Sequence, residues 1–291
     1  MASVLSIRDL ESLSGIKAHT IRIWEKRYGI FSPIRTATNI RTYGSGDLKK
    51  LLNIVSVMNN GMKISKASSL SEDELNYEIE SLEEEDEDSS NSIVINKLII
   101  ATINCDILSF DSLYEKSLFK IGIEQTIENL IYPLLNKIGL LWTVSKLSPA
   151  QEHFASQLVR QKLFSAINNL PIVASNINYL LFLPDGENHE IGLLYAYYLI
   201  KKSGKQCVYL GINVPLNGIL ECVENTNTNH LFTMFITPKT KEVLDSYFSK
   251  MLELFPTLQI NVAGLSQEYV SNSLPKKIHY IQKIEDLKNL L

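Results

Sequence analysis

The sequence predicts a multidomain protein with an all-α winged helix-turn-helix head, a four-helix bundle and a doubly wound α/β domain. Three observations lead to this prediction. Basic residues are concentrated in 1–70, helical periodicity runs through 93–170, and strands alternate with helices within 176–291. A chain of 291 residues has room for three such domains.

The bulk composition is that of an ordinary soluble protein, with 45% hydrophobic and 21% charged residues. No long apolar run and no signal-peptide core occur, so we expect a cytoplasmic protein with no membrane partner. The cysteines stand far apart in the sequence, at Cys105, Cys207 and Cys222. This spacing favours a reducing compartment and argues against a cysteine-based metal site.

The charge is divided unevenly along the chain. Residues 1–70 hold eleven Lys and Arg against four Asp and Glu, a net charge of +7, whereas 71–291 carry −11. This division suggests a nucleic-acid-binding head on an acidic body. Residues 71–92 contain eleven acidic groups and no basic one, which predicts a solvated linker. A regulatory role, in which the acidic run competes with DNA for the head, is the alternative.

The head reads as short helices and a hairpin. A first helix over 7–13 ends at Ser14-Gly15, and a second begins near Lys17 and runs to Gly29. Residues 34–43 predict a short hairpin, and 46–61 an amphipathic helix. Two helices joined by a tight turn predict a helix-turn-helix, whose second helix enters the DNA major groove.

The second helix carries a polar face that suits a double-stranded DNA operator. Its candidate DNA-binding residues are Lys17, His19, Thr20, Arg22 and Lys26. Arg22 is the candidate for a base edge, because a guanidinium group matches the two acceptors of guanine. Phosphate contacts are expected from Arg27, Arg35, Arg41 and Tyr43. The alternative is a basic surface without a specific partner.

The stretch IRIWEKRYGIFSPIRTATNIRTYGSGDL resembles the head of MerR-family transcription regulators. The matching residues are Trp24, Glu25, Arg27, Tyr28, Gly29, Pro33, Arg35, Arg41 and Tyr43. Asn39 and Ile40 precede Arg41, where a glycine is common, and asparagine tolerates the same backbone turn. The resemblance implies a DNA-binding regulator, and the cysteines of its metal-sensing members are absent.

Helical periodicity continues over 95–105, 111–122, 124–142 and 149–170, which predicts a four-helix bundle. Ser148, with Gln151 three residues on, predicts the N-terminal cap of the last helix.

Strands and helices then alternate, which predicts a parallel sheet of the Rossmann-like or flavodoxin-like kind. The predicted strands are 178–184, 205–211, 230–237, 258–264 and 276–281, with helices at 190–204, 216–225 and 241–256. Ligands of such sheets bind beyond the carboxyl ends of the strands.

One histidine follows the first of these strands, in the segment GENHEIG at 186–192. A lone loop histidine is usually structural, but Glu187 is placed to accept a hydrogen bond from one ring nitrogen of His189. Such a pair is typical behind a metal-bound imidazole. Gly192 permits a close approach by a large group. A single imidazole seldom holds a free ion, but it can complete a metal already bound in a macrocycle.

The spacing Glu187-x-His189-x-x-Gly192 is similar to the signature of cobalamin-binding domains. The resemblance implies that His189 is the lower ligand of cobalt and that the nucleotide tail threads into the sheet. Residues 209–215 resemble the loop after the second strand. Thr237 stands for the small hydroxyl residue after the third strand, and Ala263-Gly264 for a glycine pair. The methyl group of Ala263 is expected to crowd the tail.

Trp142, followed after nine residues by Glu152-His153, resembles light-responsive MerR regulators of the CarH/LitR type. The resemblance implies adenosylcobalamin, with Trp142 beside the upper adenosyl group and the Glu-His pair contacting it. Thr143 stands where photoreceptor members have a histidine, so a second cobalt–imidazole bond from that position is not expected. Without the resemblance, Trp142 would be bundle core and Glu152-His153 a solvated helix start.

These observations predict a DNA-binding repressor, not an enzyme, that is controlled by cobalamin and by light through homo-oligomerisation to a dimer or tetramer. A first alternative is a regulator of this head type whose α/β domain senses another ligand or a partner protein. A second alternative is a corrinoid carrier or methyltransferase component.

Overall fold

The computed structural model describes residues 5–35, 40–85, 87–143 and 147–291, without the side chains of 80, 83–85, 87–89 and 143. Its contacts divide the chain into two compact units, Met1–Gln157 and Leu158–Leu291. Within the described ranges, no helix combines the length and the apolar character that a membrane span requires.

The first unit is built from helices and one small hairpin. Its elements are α1 (Ile7–Ser14), α2 (Ala18–Tyr28), β1 (Ile34–Arg35), β2 (Arg41–Thr42), α3 (Ser45–Asn59), α4 (Ile64–Ala67), α5 (Glu72–Glu85), α6 (Glu87–Asn104), α7 (Ile107–Thr126), α8 (Tyr132–Thr143) and the first half of α9 (Pro149–Asn168). A π-helical turn, Ile127–Ile131, joins α7 to α8.

The head confirms the predicted helix-turn-helix and hairpin. Gly15 ends α1 in the left-handed conformation with φ 73°, and Gly29 ends α2 with φ 62°. Strands β1 and β2 pair antiparallel, with Ile34 opposite Thr42. The hairpin tip, including Asn39, lies outside the described residues.

The acidic segment is helical where it is described, which corrects the prediction of a solvated linker over 71–92. Leu75 and Ile79, four residues apart, are each 2% exposed on α5, which packs against α3 and α6. Glu72 Oε1 lies 3.0 Å from Lys49 Nζ. Two apolar residues at helical spacing bury one face of α5, and the carboxylates of its first turn, at 72–74, are exposed.

The four predicted helices after the acidic segment are present as α6 to α9, but α6 begins at Glu87 and not at residue 95. Gly122 interrupts α7 with φ 76° and ψ 170°, at the predicted break between two helices. The predicted cap of α9 is present, because Ser148 N donates to Gln151 Oε1 at 3.0 Å and Gln151 N donates to Ser148 Oγ at 3.3 Å.

The second unit contains the end of α9 and an α/β fold. Its further elements are β3 (Asn178–Pro184), α10 (Ile191–Lys202), β4 (Gln206–Val214), α11 (Ile219–Thr226), β5 (His230–Met234), α12 (Lys241–Leu254), β6 (Gln259–Ala263), α13 (Gln267–Asn272), β7 (Ile278–Ile281) and α14 (Ile284–Leu290). The two short helices α13 and α14 were not predicted from the sequence.

All five strands of this sheet are parallel, in the order β4-β3-β5-β6-β7, which confirms the doubly wound prediction in its flavodoxin-like form. Strand β3 lies between β4 and β5, and its apolar residues 180–183 are 0% exposed. The chain runs from β3 to one edge and returns to β5 on the other side of β3. The crevice at this switch point, beyond the ends of β3 and β5, is where such folds bind ligands.

Candidate functional site

Glu187 anchors the loop after β3, and its side chain is 0% exposed. Its Oε2 accepts hydrogen bonds from the backbone N–H groups of Ile236 at 3.0 Å and Thr237 at 2.6 Å. Its Oε1 accepts from the backbone N–H of Asn188 at 3.0 Å. One buried carboxylate therefore ties the loop after β3 to the loop after β5, across the switch point.

The hydrogen bonds keep this carboxylate charged despite its burial. Burial alone would raise the pKa of Glu187, but the hydrogen bonds from Thr237 and His189 outweigh it and lower the pKa to about 2. Glu187 is therefore an anion throughout the neutral range and a strong acceptor for the imidazole.

His189 lies directly on that carboxylate, as the sequence predicted. Its Nδ1 is 2.6 Å from Glu187 Oε1, and its side chain is 64% exposed. The hydroxyl of Thr237 donates to the same Oε1 at 3.2 Å. An anionic acceptor at Nδ1 favours the tautomer with the proton on Nδ1, which leaves the Nε2 lone pair available to a metal. Thr237 thus supports the pair through the carboxylate.

Two residues that the sequence analysis missed complete the loop. Asn213, near the end of β4, accepts from Gly186 N at 2.9 Å and donates to Asn188 Oδ1 at 2.6 Å. Glu190 accepts from the Tyr209 hydroxyl at 2.7 Å. Asn213 lies within the segment 209–215 that the sequence singled out, and its φ of 55° explains why asparagine suits the position.

The two candidate glycines are both confined. A Cβ built on Gly192, in the first turn of α10, would lie 2.9 Å from Met234 Cε. Gly264, after β6, has φ 80°, and a Cβ there would lie 2.4 Å from the carbonyl oxygen of Phe235. The space beside Gly192, which the sequence suggested was open to a ligand, therefore holds the Met234 side chain.

In the first unit, Trp142 lies in the last turn of α8 and is 52% exposed, so the alternative of a bundle-core tryptophan is wrong. His153 Nδ1 lies 2.7 Å from Glu152 Oε2 in the first turn of α9. Leu147 N donates to Leu141 O at 3.3 Å, which brings the start of α9 to the end of α8. The side chain of Thr143 and residues 144–146 lie outside the described part of the chain.

The candidate DNA-binding face of α2 is exposed. His19, Arg22 and Lys26 recur at helical spacing on the side away from Ile21, which is 0% exposed. Of the other candidates, Lys17, Arg27 and Arg35 are exposed and Thr20 is partly exposed. These positions leave α2 free to lie in a groove.

The hairpin formed by β1 and β2 is the wing of the head. Arg41 and Tyr43, at its second strand, both bond to a side chain of α2. Arg41 Nε donates to Glu25 Oε1 at 3.0 Å, and the Tyr43 hydroxyl donates to Glu25 Oε2 at 2.9 Å. Tyr43 is only 2% exposed, which corrects its assignment as a phosphate contact. Its burial was hidden in the sequence because an aromatic ring with a hydroxyl group suits either role. Glu25 therefore fixes the wing to α2.

Comparison with known proteins agrees with this geometry. Residues 5–74 match the model of the MerR HTH family regulatory protein, and 94–165 match that of a B12 binding domain. The HTH-type transcriptional repressor CarH of Myxococcus xanthus is 26% identical over 290 residues, covering 96% of this chain and 95% of that protein. These matches support a CarH-type regulator. The repressor CarA of the same organism is 23% identical over 286 residues, covering 97% of this chain and 94% of its own length.

This regulator therefore combines a DNA-binding head with a cobalamin-linked body, as the sequence predicted. The B12 domain match falls on helices α6 to α9. The monomethylamine corrinoid protein of Methanosarcina barkeri superposes with a TM-score of 0.56 at 13% identity, covering 69% of this chain and 97% of that one. At this identity the superposition shows a shared fold and nothing about function.

Proposed function

We propose that this regulator is a transcriptional repressor whose binding to DNA is controlled by a cobalamin held on His189. The observation that supports it most is the imidazole Nδ1 at 2.6 Å from the buried carboxylate of Glu187. This donor set fits a corrinoid, because it offers one outward nitrogen to a metal whose other ligands come from the ring. The relatives named as repressors suggest the sign of regulation.

In this proposal His189 would offer Nε2 to the cobalt, and Glu187 and Thr237 keep the imidazole in the required tautomer. Gly192 and Gly264 are also assigned to the cofactor site, where Met234 packs against the first and the Phe235 carbonyl against the second. The group we propose is adenosylcobalamin, which supplies a cobalt–carbon bond that light breaks.

Three residues of the first unit are proposed to contact the upper adenosyl group. Trp142 offers an exposed, rigid indole surface. Glu152 offers a carboxylate that accepts from ribose hydroxyls, and His153 holds that carboxylate in place at 2.7 Å.

We propose that the loaded chain assembles as a homo-dimer or tetramer on a double-stranded operator, without catalysing a reaction and in the cytoplasm, where its DNA partner lies. Several heads on one assembly gain affinity through their effective concentration on repeated half-sites. Residues on α2 and the wing would supply the contacts: Lys17, His19, Thr20, Arg22, Lys26, Arg27, Arg35 and Arg41.

Dark and light measurements on the full chain test the control step. Incubation with adenosylcobalamin in the dark is expected to increase the molecular mass by light scattering and to retard DNA of the protein's own promoter in a gel shift. Illumination is expected to reverse both changes. Loading with hydroxocobalamin, which has no adenosyl group, is the control. If dark and illuminated samples have the same mass and gel shift, light control is excluded.

Two substitutions in α2 distinguish base from phosphate contacts. Arg22→Ala is expected to cost about 1–3 kcal/mol on the preferred operator and to relax the preference at one base pair, because a two-pronged contact to guanine is lost. Lys26→Ala is expected to weaken all sequences alike and to lower the slope of log K against log salt by about 1. Fluorescence anisotropy across a salt series measures both effects.

Lys116→Ala is the matched control, since Lys116 is an exposed cation on α7 outside the head. It is expected to leave DNA affinity and salt slope unchanged. An Arg22→Ala protein that lost affinity equally for every base at every position would contradict the base-edge assignment.

A further inference from the structure

Met234 ends strand β5 and lies against the first turn of α10. Its Cε and Sδ are 2.9 Å and 3.2 Å from the position that a Cβ on Gly192 would take. Gly192 is three residues after His189, so the Met234 side chain lies against the helical turn that directly follows the proposed cobalt ligand.

A second apolar side chain, that of Ala263, lies next to Met234. Ala263 of β6 is the register partner of Met234, and paired residues of adjacent strands point to the same face of a sheet. Ala263 is 7% exposed. One thioether and one methyl group thus lie side by side on one face of the sheet, where β5 and β6 end.

The position of Met234 affects which corrinoids can bind, if the proposed function is correct. A cobalamin carries a nucleotide tethered to the lower side of its ring. If an imidazole of the protein took the lower position on cobalt, the nucleotide would have to be accommodated on the same side of the ring, next to the protein ligand. Here that space is the crevice between β3 and β5.

We propose that Met234 is a specificity-determining residue of the corrinoid site, which disfavours ligands with a lower nucleotide and favours those without one. The nucleotide enters only if the methionine side chain moves out of its contact with Gly192. Methionine is unbranched and adaptable, so the bulkier ligand is disfavoured and not excluded. The affinity cost is that of removing a packed side chain from its site.

The test compares two ligands, adenosylcobalamin and adenosylcobinamide, which lacks the nucleotide, by equilibrium dialysis of the full chain in the dark. The measured quantity is the ratio of the two dissociation constants. Met234→Ala is expected to shift this ratio toward adenosylcobalamin by about tenfold, the value of two buried methylene groups. Displacing the ligand's own base costs the same in both proteins, so that cost cancels from the comparison.

Two further variants test whether the effect comes from the volume of the side chain or from a general disturbance of the fold. Met234→Leu keeps the space filled and is expected to leave the ratio within about twofold of the parent, since volume-conserving exchanges disturb packing least. Ala263→Gly removes one methyl group and is expected to shift the ratio the same way by up to about fourfold. Urea unfolding midpoints confirm that each variant is folded.

The outcomes distinguish this inference from the function on which it rests. If both ligands bind and Met234→Ala leaves their ratio unchanged, the specificity role of Met234 is overturned and the corrinoid site stands. If neither ligand binds to the parent or to any variant, the proposed function fails and the inference fails with it.

Discussion

Replacing His189 by alanine is expected to weaken corrinoid binding on the order of 100-fold, about 2.7 kcal/mol. The reason is that the imidazole presents Nε2 outward while Nδ1 is held 2.6 Å from a carboxylate that is already fully bonded. Alanine leaves no nitrogen at that position. The measurement is the red colour that full-length protein retains after desalting, followed by equilibrium dialysis for the affinity.

His279→Ala is the matched control, because His279 is an exposed histidine of the same unit, on β7, with Nδ1 3.2 Å from Asn261 Oδ1. It should bind corrinoid like the parent. Undiminished binding by the His189→Ala protein would show that the imidazole does not hold the cobalt.

Changing Glu187, whose carboxylate accepts from the imidazole of His189, is expected to weaken corrinoid binding less than removing the imidazole. Glu187→Gln keeps the size but places an amide N–H₂ against backbone donors, which frees the ring from its fixed orientation. Loss of such a supporting carboxylate typically costs about 10–100-fold in metal affinity. Asp185→Asn, an exposed carboxylate of the same loop, is its control.

Gly264→Ala is expected to destabilise the chain by about 3 kcal/mol or more. A left-handed φ of 80° costs a side chain about 1 kcal/mol, and the new Cβ would also lie 2.4 Å from the carbonyl oxygen of Phe235. That oxygen belongs to backbone next to β5, which is paired to β6, so relief requires a shift between strands. The urea unfolding curve of the full chain, followed by circular dichroism, measures the loss.

Gly204→Ala separates the cost of the left-handed backbone from the cost of the steric clash with Phe235. Gly204 has the same φ of 80°, but a Cβ there would meet nothing within 4 Å. It should cost only the conformational share, about 1 kcal/mol. Equal destabilisation by the two substitutions would mean that the contact with Phe235 adds nothing.

Much of the architecture followed from local patterns. The buried strand β3 was predicted with its final bounds because an apolar run between turn residues has few other solutions. The helix-turn-helix followed from Gly15 and Gly29, which end their helices where only a left-handed residue fits. Helix α5 was not predicted because its buried face consists of little more than Leu75 and Ile79, in a segment with eleven acidic groups.

In the candidate site, too, contacts between residues close in sequence were predictable and contacts between distant residues were not. The bond between Glu187 and His189 was predictable, since two residues separated by one position in a loop reach each other without help from the fold. The donors from Ile236 and Thr237 were not, because about fifty residues of chain separate them from Glu187. The Tyr43 hydroxyl on Glu25 is a second case, set by how the wing packs on α2.

By itself, the sequence determined most of the helices and strands, the charge of the head and the histidine–carboxylate pair, because each depends on residues close together along the chain. Only the tertiary structure decided what surrounds that pair. It placed β5 beside β3, and this strand order brought two backbone donors onto Glu187 and the Met234 side chain against Gly192. Contacts between loops depend on which strands are neighbours, and strand order depends on how the whole sheet buries its two faces.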